Sequence, residues 1–255
     1  MFLFIIIIIS ILFSDFNIGL NINGRFSPVL GEHFLGTDNL GRDMLSSIIC
    51  GLIISLSISI TVVSLSAIIG IIIGFITGYF EGALETIFLR IGDVLLAFPG
   101  FLLIIIWISV IGNGVFSMIF AITFSSWVGY ARLIHGEVLK YKNKDFVLAA
   151  KSYNSSFFRI SITHLIPHIK PVFLAQIPID LSNVILIESS LNFLGLGISP
   201  KIPTLGHLVF NGQKYMFIKP SLIIFPGVTL FLLILSINFI GEGLKKGDNQ
   251  NLFNL

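Results

Sequence analysis

Long apolar runs separated by short polar stretches dominate the chain. After an opening run, segments long enough to cross a bilayer lie at about 52–80, 94–111, 115–134, 172–194 and 222–240. Runs of this length predict helices, because a backbone inside lipid must satisfy its hydrogen bonds within its own segment. With the opening run, the pattern predicts an all-α membrane protein of about six transmembrane helices, folded as a single domain over residues 1–255.

The opening apolar run, residues 1–13, is short for a membrane span. A helix of that length extends about 20 Å, whereas the hydrocarbon core of a bilayer is about 30 Å thick. No basic residue precedes the run and no small-x-small site follows it, which disfavours a cleaved signal peptide. We expect either a span that continues to about Leu20 or a start upstream of Met1, and we favour the upstream start.

Lysine and arginine residues are distributed unevenly between the polar segments. They concentrate within residues 132–170, and Lys245 and Lys246 follow the last predicted span. Since cytoplasmic segments of membrane proteins are enriched in these residues, we expect the loop and both termini to be cytoplasmic. Segments of about 15–45 and 195–220 are then extracytoplasmic.

Composition agrees with a chain that lies mostly in lipid. Hydrophobic residues make up 55% and charged residues 11%, whereas soluble domains carry about 25% charged residues. The net charge of +2 provides no dense basic face, so nucleic acid is not an expected partner. The single cysteine, Cys50, excludes an internal disulfide, and we interpret it as a packing residue.

Motifs for nucleotide or metal chemistry are missing from the sequence. A phosphate-binding loop needs G-x4-G-K-[ST], and neither that string nor HExxH occurs. We therefore predict no catalytic residue, no metal site and no cofactor held by this chain. Any ATP would be bound by partner subunits.

Three glycines, Gly70, Gly74 and Gly78, recur at four-residue spacing in the second predicted span. Small residues at this spacing allow two helices to approach closely in lipid. The same span is rich in serine, and its hydroxyls either bond to helices or line a water-filled path. We favour helix packing as the role of this set.

The most polar internal segment, about 136–170, predicts a helix–turn–helix at the membrane surface. Phe146, Ala149, Ala150 and Tyr153 recur at helical spacing and predict one face, on which the two alanines leave room for a close approach. Such a helix either docks into a partner or rests on lipid headgroups.

The turn in this segment is predicted at Asn154, since asparagine tolerates the left-handed conformation. Ser155 or Ser156 can cap the second helix. We expect that helix to run from Phe157 to about residue 165 and to end before Pro167.

Acidic and amide side chains interrupt the fifth apolar run at Asp180, Asn183, Glu188 and Asn192. Counted from Pro171, Asp180 lies about 13–15 Å deep, near the midplane of a bilayer. A charge there costs at least about 2.5–3.5 kcal/mol. These side chains are expected either to line a wet translocation path or to be satisfied by neighbouring helices.

The helix–turn–helix resembles the EAA coupling loop of ABC-importer permeases. Ala149, Ala150 and Pro167 match that pattern in register, and His164 fits its peptide-permease version. Leu148 stands where glutamate is usual, which removes a charge that helps to seat the loop. Asn154 stands where glycine is usual and preserves a left-handed turn.

The resemblance extends over most of the chain and is closest to the dipeptide/oligopeptide/nickel permease family. The similar segments are HFLGTDNLGRDMLSSIICG (33–51), GYFEG (78–82), RIGDVLLAFPG (90–100), WVGYARLIHGEVL (127–139), ESSLNFLGLGISPKIPTLG (188–206) and FPGVTLFLLILSINFIGEGLK (225–245). GTDNLGRD and SLNFLGLG are specific to that family rather than general features of membrane proteins.

This resemblance implies a C-type permease subunit in the bacterial inner membrane, surrounded by lipid and forming half of a path for di-/oligopeptides. Its implied partners are a homologous B-type permease, two cytoplasmic ATPase subunits and an extracytoplasmic binding protein. A nickel or nickel-chelate importer is the alternative within the family. Other classes are a stand-alone secondary transporter or channel, for which we see no matching repeats, and a membrane-assembly factor.

The segment entering the second span contains Asp38, Arg42 and Asp43. We expect Thr37 or Asp38 to cap a short helix and Asp43 to lie at the N-terminal end of the span, where its charge meets the helix dipole. The alternative role for Asp38, Arg42 and Asp43 is contact with the binding protein.

Overall fold

A computed structural model describes residues 24–29, 33–80, 82–199 and 202–252, with side chains as far as residue 243. Within these ranges the structure is helical, apart from an isolated antiparallel bridge between Thr37 and Asp43. The all-α membrane class is confirmed. The predicted first span lies outside the described residues.

The helices follow the apolar runs, and most of them begin before the predicted start. They are α1 Met44–Tyr79, α2 Ala83–Ala97, α3 Gly100–Ile111, α4 Val115–Tyr141, α5 Asp145–Ser152, α6 Phe157–Ile160, α7 Ile166–Phe193, α8 Leu205–Gln213 and α9 Ser221–Leu252. A π-helical turn, Ser161–Leu165, joins α6 to α7.

Among the described residues, four helical stretches are long and apolar enough to cross a membrane, namely Met44–Tyr79, Val115–Tyr141, Phe157–Phe193 and Ser221–Gly243. The pair α2 and α3 makes a fifth if it counts as one span. The total of six and the cytoplasmic position of both termini stay predictions.

Pro99 breaks the third predicted span more sharply than a kink. The axes of α2 and α3 differ by 88°. Phe98 is extended, with φ −87° and ψ 140°, as the steric demand of a following proline requires. The carbonyl of Pro99 then accepts hydrogen bonds from the first turn of α3, at Leu102 and Leu103, so a new helix begins there.

Pro167 does not end the second helix of the polar segment, so this prediction was wrong. The helix from Phe157 passes through the π-helical turn Ser161–Leu165 and continues as α7, in which Pro167 is the second residue. A proline ring strikes the carbonyl one turn back in a regular helix. A π-helical turn changes the hydrogen-bond register just before the proline and accommodates it.

The described chain divides into two compact units. Of the described residues, the first contains those up to Thr61 together with Ile105–Ile119 and those within 182–236, and the second contains those within 62–104, Phe120–Leu181 and those from Ile237 onward. Each unit collects segments from distant parts of the sequence.

In the first unit, α8 packs closely against its neighbours through glycines, one of its own and one of α1. A side chain on Gly206 would lie 2.5 Å from the carbonyl oxygen of Ser189, and one on Gly51 would lie 3.0 Å from the backbone nitrogen of Leu205. Around these contacts the buried apolar core contains Met44, Ile48, Leu205, Leu208 and Leu222.

In the second unit, the glycines of α1 pack against α4, in agreement with the predicted role in helix packing. A Cβ atom on Gly74 would lie 2.6 Å from the carbonyl oxygen of Ala131, and one on Gly78 would lie 2.8 Å from Cβ of Val138. Because no side chain fits there, glycine at these positions lets the two helices touch through their backbones.

Candidate functional site

The base of α5 is packed firmly into the second unit. Val147 is fully buried and Ala150 is 8% exposed. Both belong to an apolar cluster that includes Ile134 of α4 and Leu165. One side of α5 is therefore part of the core of its unit.

The opposite side of α5 is exposed. Phe146 is 36%, Leu148 45% and Tyr153 87% exposed, and Ala149 is exposed with them. The two alanines do not share a face, because adjacent positions of a helix point about 100° apart. The predicted face is therefore corrected: Ala149 belongs to the free surface and Ala150 to the core.

The turn after α5 has the predicted conformation. Asn154 has a φ of +59°, and its N–H donates to the carbonyl of Lys151 at 2.9 Å. The N–H of Ser155 reaches back to the carbonyl of Ala150 at 3.2 Å. Ser156 caps the next helix, since its hydroxyl accepts from the N–H of Arg159. The left-handed turn and the serine cap are both confirmed.

Two histidines hold Phe146 in place. Its ring stacks on His168 with centroids 4.9 Å apart and lies 6.2 Å from His164. Nδ1 of His168 lies 2.8 Å from the carbonyl oxygen of His164. His164 was assigned to the coupling loop by the family resemblance, and it lies next to Phe146 of the exposed face. Phe146 connects that face to the first turn of α7 through His168.

The membrane-embedded acid Asp180 belongs to a small polar group in the second unit. Gln176 donates a hydrogen bond to its carboxylate at 3.1 Å. Asp180 is half-buried, and Asn183, one turn further along α7, is exposed. Asp180 and Asn183 both have accessible surface, so a translocation path or another subunit can contact them.

The remaining acid, Glu188, is enclosed within the first unit. Neither Glu188 nor Asn192 has exposed surface. Ser55 of α1 donates to the Glu188 carboxylate at 3.0 Å, and the Asn192 amide donates to its other oxygen at 2.5 Å. Asn192 in turn accepts from the backbone N–H of Ile198 at 2.9 Å. These contacts agree with the expectation that neighbouring segments satisfy the hydrogen bonds of Glu188 and Asn192. A role for the two residues in lining the translocation path stays a prediction.

The segment entering α1 forms a turn, and the expected short helix is not present between residues 37 and 43. One carboxylate oxygen of Asp38 accepts from the N–H groups of Leu40 and Arg42, each at 2.8 Å. Its other oxygen lies 3.4 Å from Nε of Arg42. Because the Asp38 carboxylate satisfies the local backbone, the chain folds into a tight loop.

Asp43 lies at the N-terminal end of α1, as predicted, and its side chain caps the helix. Its carboxylate accepts from the N–H of Ser46 at 2.8 Å and lies 3.1 Å from Nδ1 of His33. Burial acts to raise the pKa of Asp43, but the hydrogen bonds from Ser46 and the neighbouring His33 ring outweigh it and lower the pKa. Contact of Asp38, Arg42 and Asp43 with a binding protein stays a prediction.

The comparison with protein families settles the class of the chain. A family model described as the binding-protein-dependent transport system inner membrane component matches residues 70–247. The chain belongs to this family. It is a permease subunit of an ABC importer and a multi-pass protein of the inner membrane.

Curated relatives of this permease include glutathione transport system permease proteins GsiD. The protein of Shigella flexneri serotype 5b (strain 8401) is 36% identical over 84% of this chain and 71% of its own length. That of Escherichia coli O6:K15:H31 (strain 536 / UPEC) is 33% identical with the same coverage.

Among solved structures, this permease is similar to a chain of the MetNI methionine ABC transporter in its inward-facing conformations. The TM-score is 0.66 at 17% sequence identity, over 80% of this chain and 97% of that one. A second crystal form matches with a TM-score of 0.60. At this identity the likeness shows a shared fold.

Sequence reasoning missed how this permease anchors its polar loop. Lys142, interpreted as one of several cytoplasmic charges, is 4% exposed, and its ammonium group donates to the carbonyl of Gly78 at 3.0 Å. The ammonium group of Lys151 lies 5.1 Å above the ring of Tyr79. The signal available was the placement of one lysine just before α5 and another in its last turn, which the positive-inside rule treats only as charge.

Metal ligation receives no support from the part of the chain that the structure describes. No group of three or more histidine, cysteine, aspartate or glutamate side chains is arranged there to hold an ion.

Proposed function

We propose that this permease forms half of an ATP-driven import path for di-/oligopeptides. The observation that carries the proposal is the 36% identity to a glutathione transport permease over most of both chains. Glutathione is a tripeptide, so a short peptide is the cargo class nearest to what that relative is named for.

The proposed energy source lies in partner subunits. The chain has no phosphate-binding loop, so ATP would be bound by two cytoplasmic ATPase subunits. Their proposed docking surface is the exposed face of α5, formed by Phe146, Leu148, Ala149 and Tyr153. Supporting this, the base of α5 is packed into the core, so that movement of α5 would be transmitted to α1 and α4.

The other proposed partners are a homologous B-type permease and an extracytoplasmic binding protein that delivers the peptide. Asp180 and Asn183 are the path residues that the exposure pattern supports best. The half-buried Asp180 carboxylate is oriented by the hydrogen bond that it accepts from Gln176. It would attract the ammonium group of a peptide as it passes.

The test is reconstitution of the complete importer in proteoliposomes, with uptake of a labelled dipeptide such as Ala-Phe measured with and without ATP. We expect ATP-dependent uptake that requires the binding protein. Uptake of Ni²⁺ but not of peptide would favour the nickel alternative. Uptake by this chain without ATPase subunits would show a stand-alone transporter and overturn the proposal.

A further inference from the structure

A cavity of about 510 Å³ opens beside α8 in the first unit. Its walls are the start of α4, the loop after α7, and the helix α8 itself as far as Lys214. The volume falls within the range of about 300–1,000 Å³ typical of small-molecule sites. This cavity is not lined by the side chains of the proposed ATPase-docking face on α5, and Asp180 does not line it either.

The rim of the cavity carries a positioned positive charge. The ammonium group of Lys214 lies 4.4 Å above the ring of Phe210, and that ring packs edge-on against Phe193 with centroids 6.0 Å apart. The amides of Asn113 and Asn211 line the same space. Together they offer hydrogen-bond donors and one cation to a carboxylate, above an aromatic wall.

A histidine that lines the cavity has a ring nitrogen without a hydrogen-bond partner among the described residues. His207 is 5% exposed, and its Nδ1 has no hydrogen-bond partner within the described ranges. Burial lowers the pKa of His207, although a hydrogen bond with the backbone of Ile202 acts to raise it. The ring is therefore neutral near pH 7, and Nδ1 is available as an acceptor when the other nitrogen donates to Ile202.

The wall opposite α8 is held rigidly. Ile198, which lines the cavity, donates its backbone N–H to Asn192, and Asn192 is bonded to Glu188. Gly197 lies so close to the Asn192 amide that no side chain fits. The buried network around Glu188 thus fixes the shape of the cavity before any ligand arrives, which lowers the entropy cost of binding.

We propose that this cavity is a binding site for a short zwitterionic peptide, with its carboxylate at Lys214 and its ammonium group donating to His207. Apolar side chains of the peptide would lie against Phe210, Ile198 and Ile202. This proposal rests on the proposed peptide-import function and adds a site for the cargo separate from the midplane acid.

A water molecule is the competing occupant for His207. The ring also borders a second cavity of about 20 Å³, together with Arg42. That volume suffices for one water. Nε of Arg42 is ion-paired with Asp38 at 3.4 Å but makes no hydrogen bond within the described residues, so a water could bridge Arg42 and His207. The experiment must therefore separate peptide binding from a structural water.

The test measures equilibrium binding of three probes to the full chain in lipid nanodiscs, without ATP. The probes are Ala-Phe, its C-terminal amide, and propionyl-Phe, which lacks the ammonium group. For the wild-type chain, we expect Ala-Phe to bind about tenfold more tightly than propionyl-Phe and about fivefold more tightly than the amide.

The variants are Lys214→Met, His207→Phe and the matched control Lys170→Met, an exposed lysine on α7. Lys214→Met should bind Ala-Phe about fivefold more weakly and lose its preference over the amide. His207→Phe should lose the preference over propionyl-Phe. Lys170→Met should bind as the wild type does. Melting temperatures of each variant verify folding.

Two results overturn the site. One is that His207→Phe and Lys214→Met both bind Ala-Phe with the affinity of the wild type. Such a result for His207→Phe would mean that Nδ1 of His207 binds only the water. The other is no saturable binding of Ala-Phe to a folded wild-type chain. If the complete importer still takes up Ala-Phe, only the cavity proposal fails; if it does not, the proposed function fails with it.

Discussion

The exposed face of α5 and the hydrogen-bond network around Glu188 differ in where they place apolar and polar side chains. At α5, apolar side chains such as Leu148 and Tyr153 are exposed in a polar loop. Around Glu188, charged and amide side chains are buried in an apolar helix. A polar residue in a membrane-spanning helix therefore indicates hydrogen bonding inside the protein as readily as it indicates a translocation path. An exposed apolar side chain on a polar loop indicates instead a surface that a partner protein covers.

The largest effect is expected at Glu188. Glu188→Ala would leave Ser55 and Asn192 without their acceptor, and each stranded group costs about 1–3 kcal/mol. We expect a severe loss of folded protein in size-exclusion chromatography of detergent extracts. Glu188→Gln keeps the shape and one acceptor oxygen and should recover most of the yield. A wild-type yield from Glu188→Ala would mean that the network does not hold the unit together.

The two alanines of α5 should respond differently to the same substitution. Ala150→Asp places a charge in the apolar cluster, which costs several kcal/mol, so folded protein should fall. Ala149→Asp should fold normally but abolish ATP-driven uptake, because the charge lies on the proposed docking face. Folded yield and uptake are measured for both. Equal behaviour of the two variants would contradict the division of α5 into a core side and a free side.

A smaller effect is expected at Asp180. Asp180→Asn keeps the side-chain shape and removes the charge, so assembly should persist while peptide uptake falls several-fold. The control is Glu242→Gln, an exposed acid in α9, which should transport normally. Loss of assembly in Asp180→Asn would instead assign the carboxylate a structural role.

The smallest effect is expected at the turn after α5. Asn154→Gly should be neutral or stabilise the chain by up to about 1 kcal/mol, because glycine adopts a positive φ without strain. Asn154→Val should be less stable, since a β-branched residue is disfavoured there. Thermal unfolding of both variants measures the difference. A more stable valine variant would show that the backbone conformation does not limit this loop.

Local features were predictable because their causes are local. Asn154 and Ser156 carry the turn chemistry in their own side chains, and Asp43 caps α1 through the N–H of Ser46 three residues later. Pro167 misled the prediction, because the π-helical turn that accommodates it depends on how Leu165 and its neighbours pack. Ala149 and Ala150 could not be separated by periodicity alone, since either could face the core.

The sequence by itself determined the membrane environment of this protein, its helical class, its family resemblance and the turn at Asn154. These follow from apolar run length, turn chemistry and short motifs, all of which are read within a few residues. Only the tertiary structure decided that Glu188 is enclosed while Asp180 keeps surface, that Lys142 is an anchor, and that a cavity forms around His207. The physical reason is that burial and hydrogen-bond pairing depend on residues far apart in the chain: Ser55 meets Glu188 across 133 positions, and no local pattern encodes that meeting.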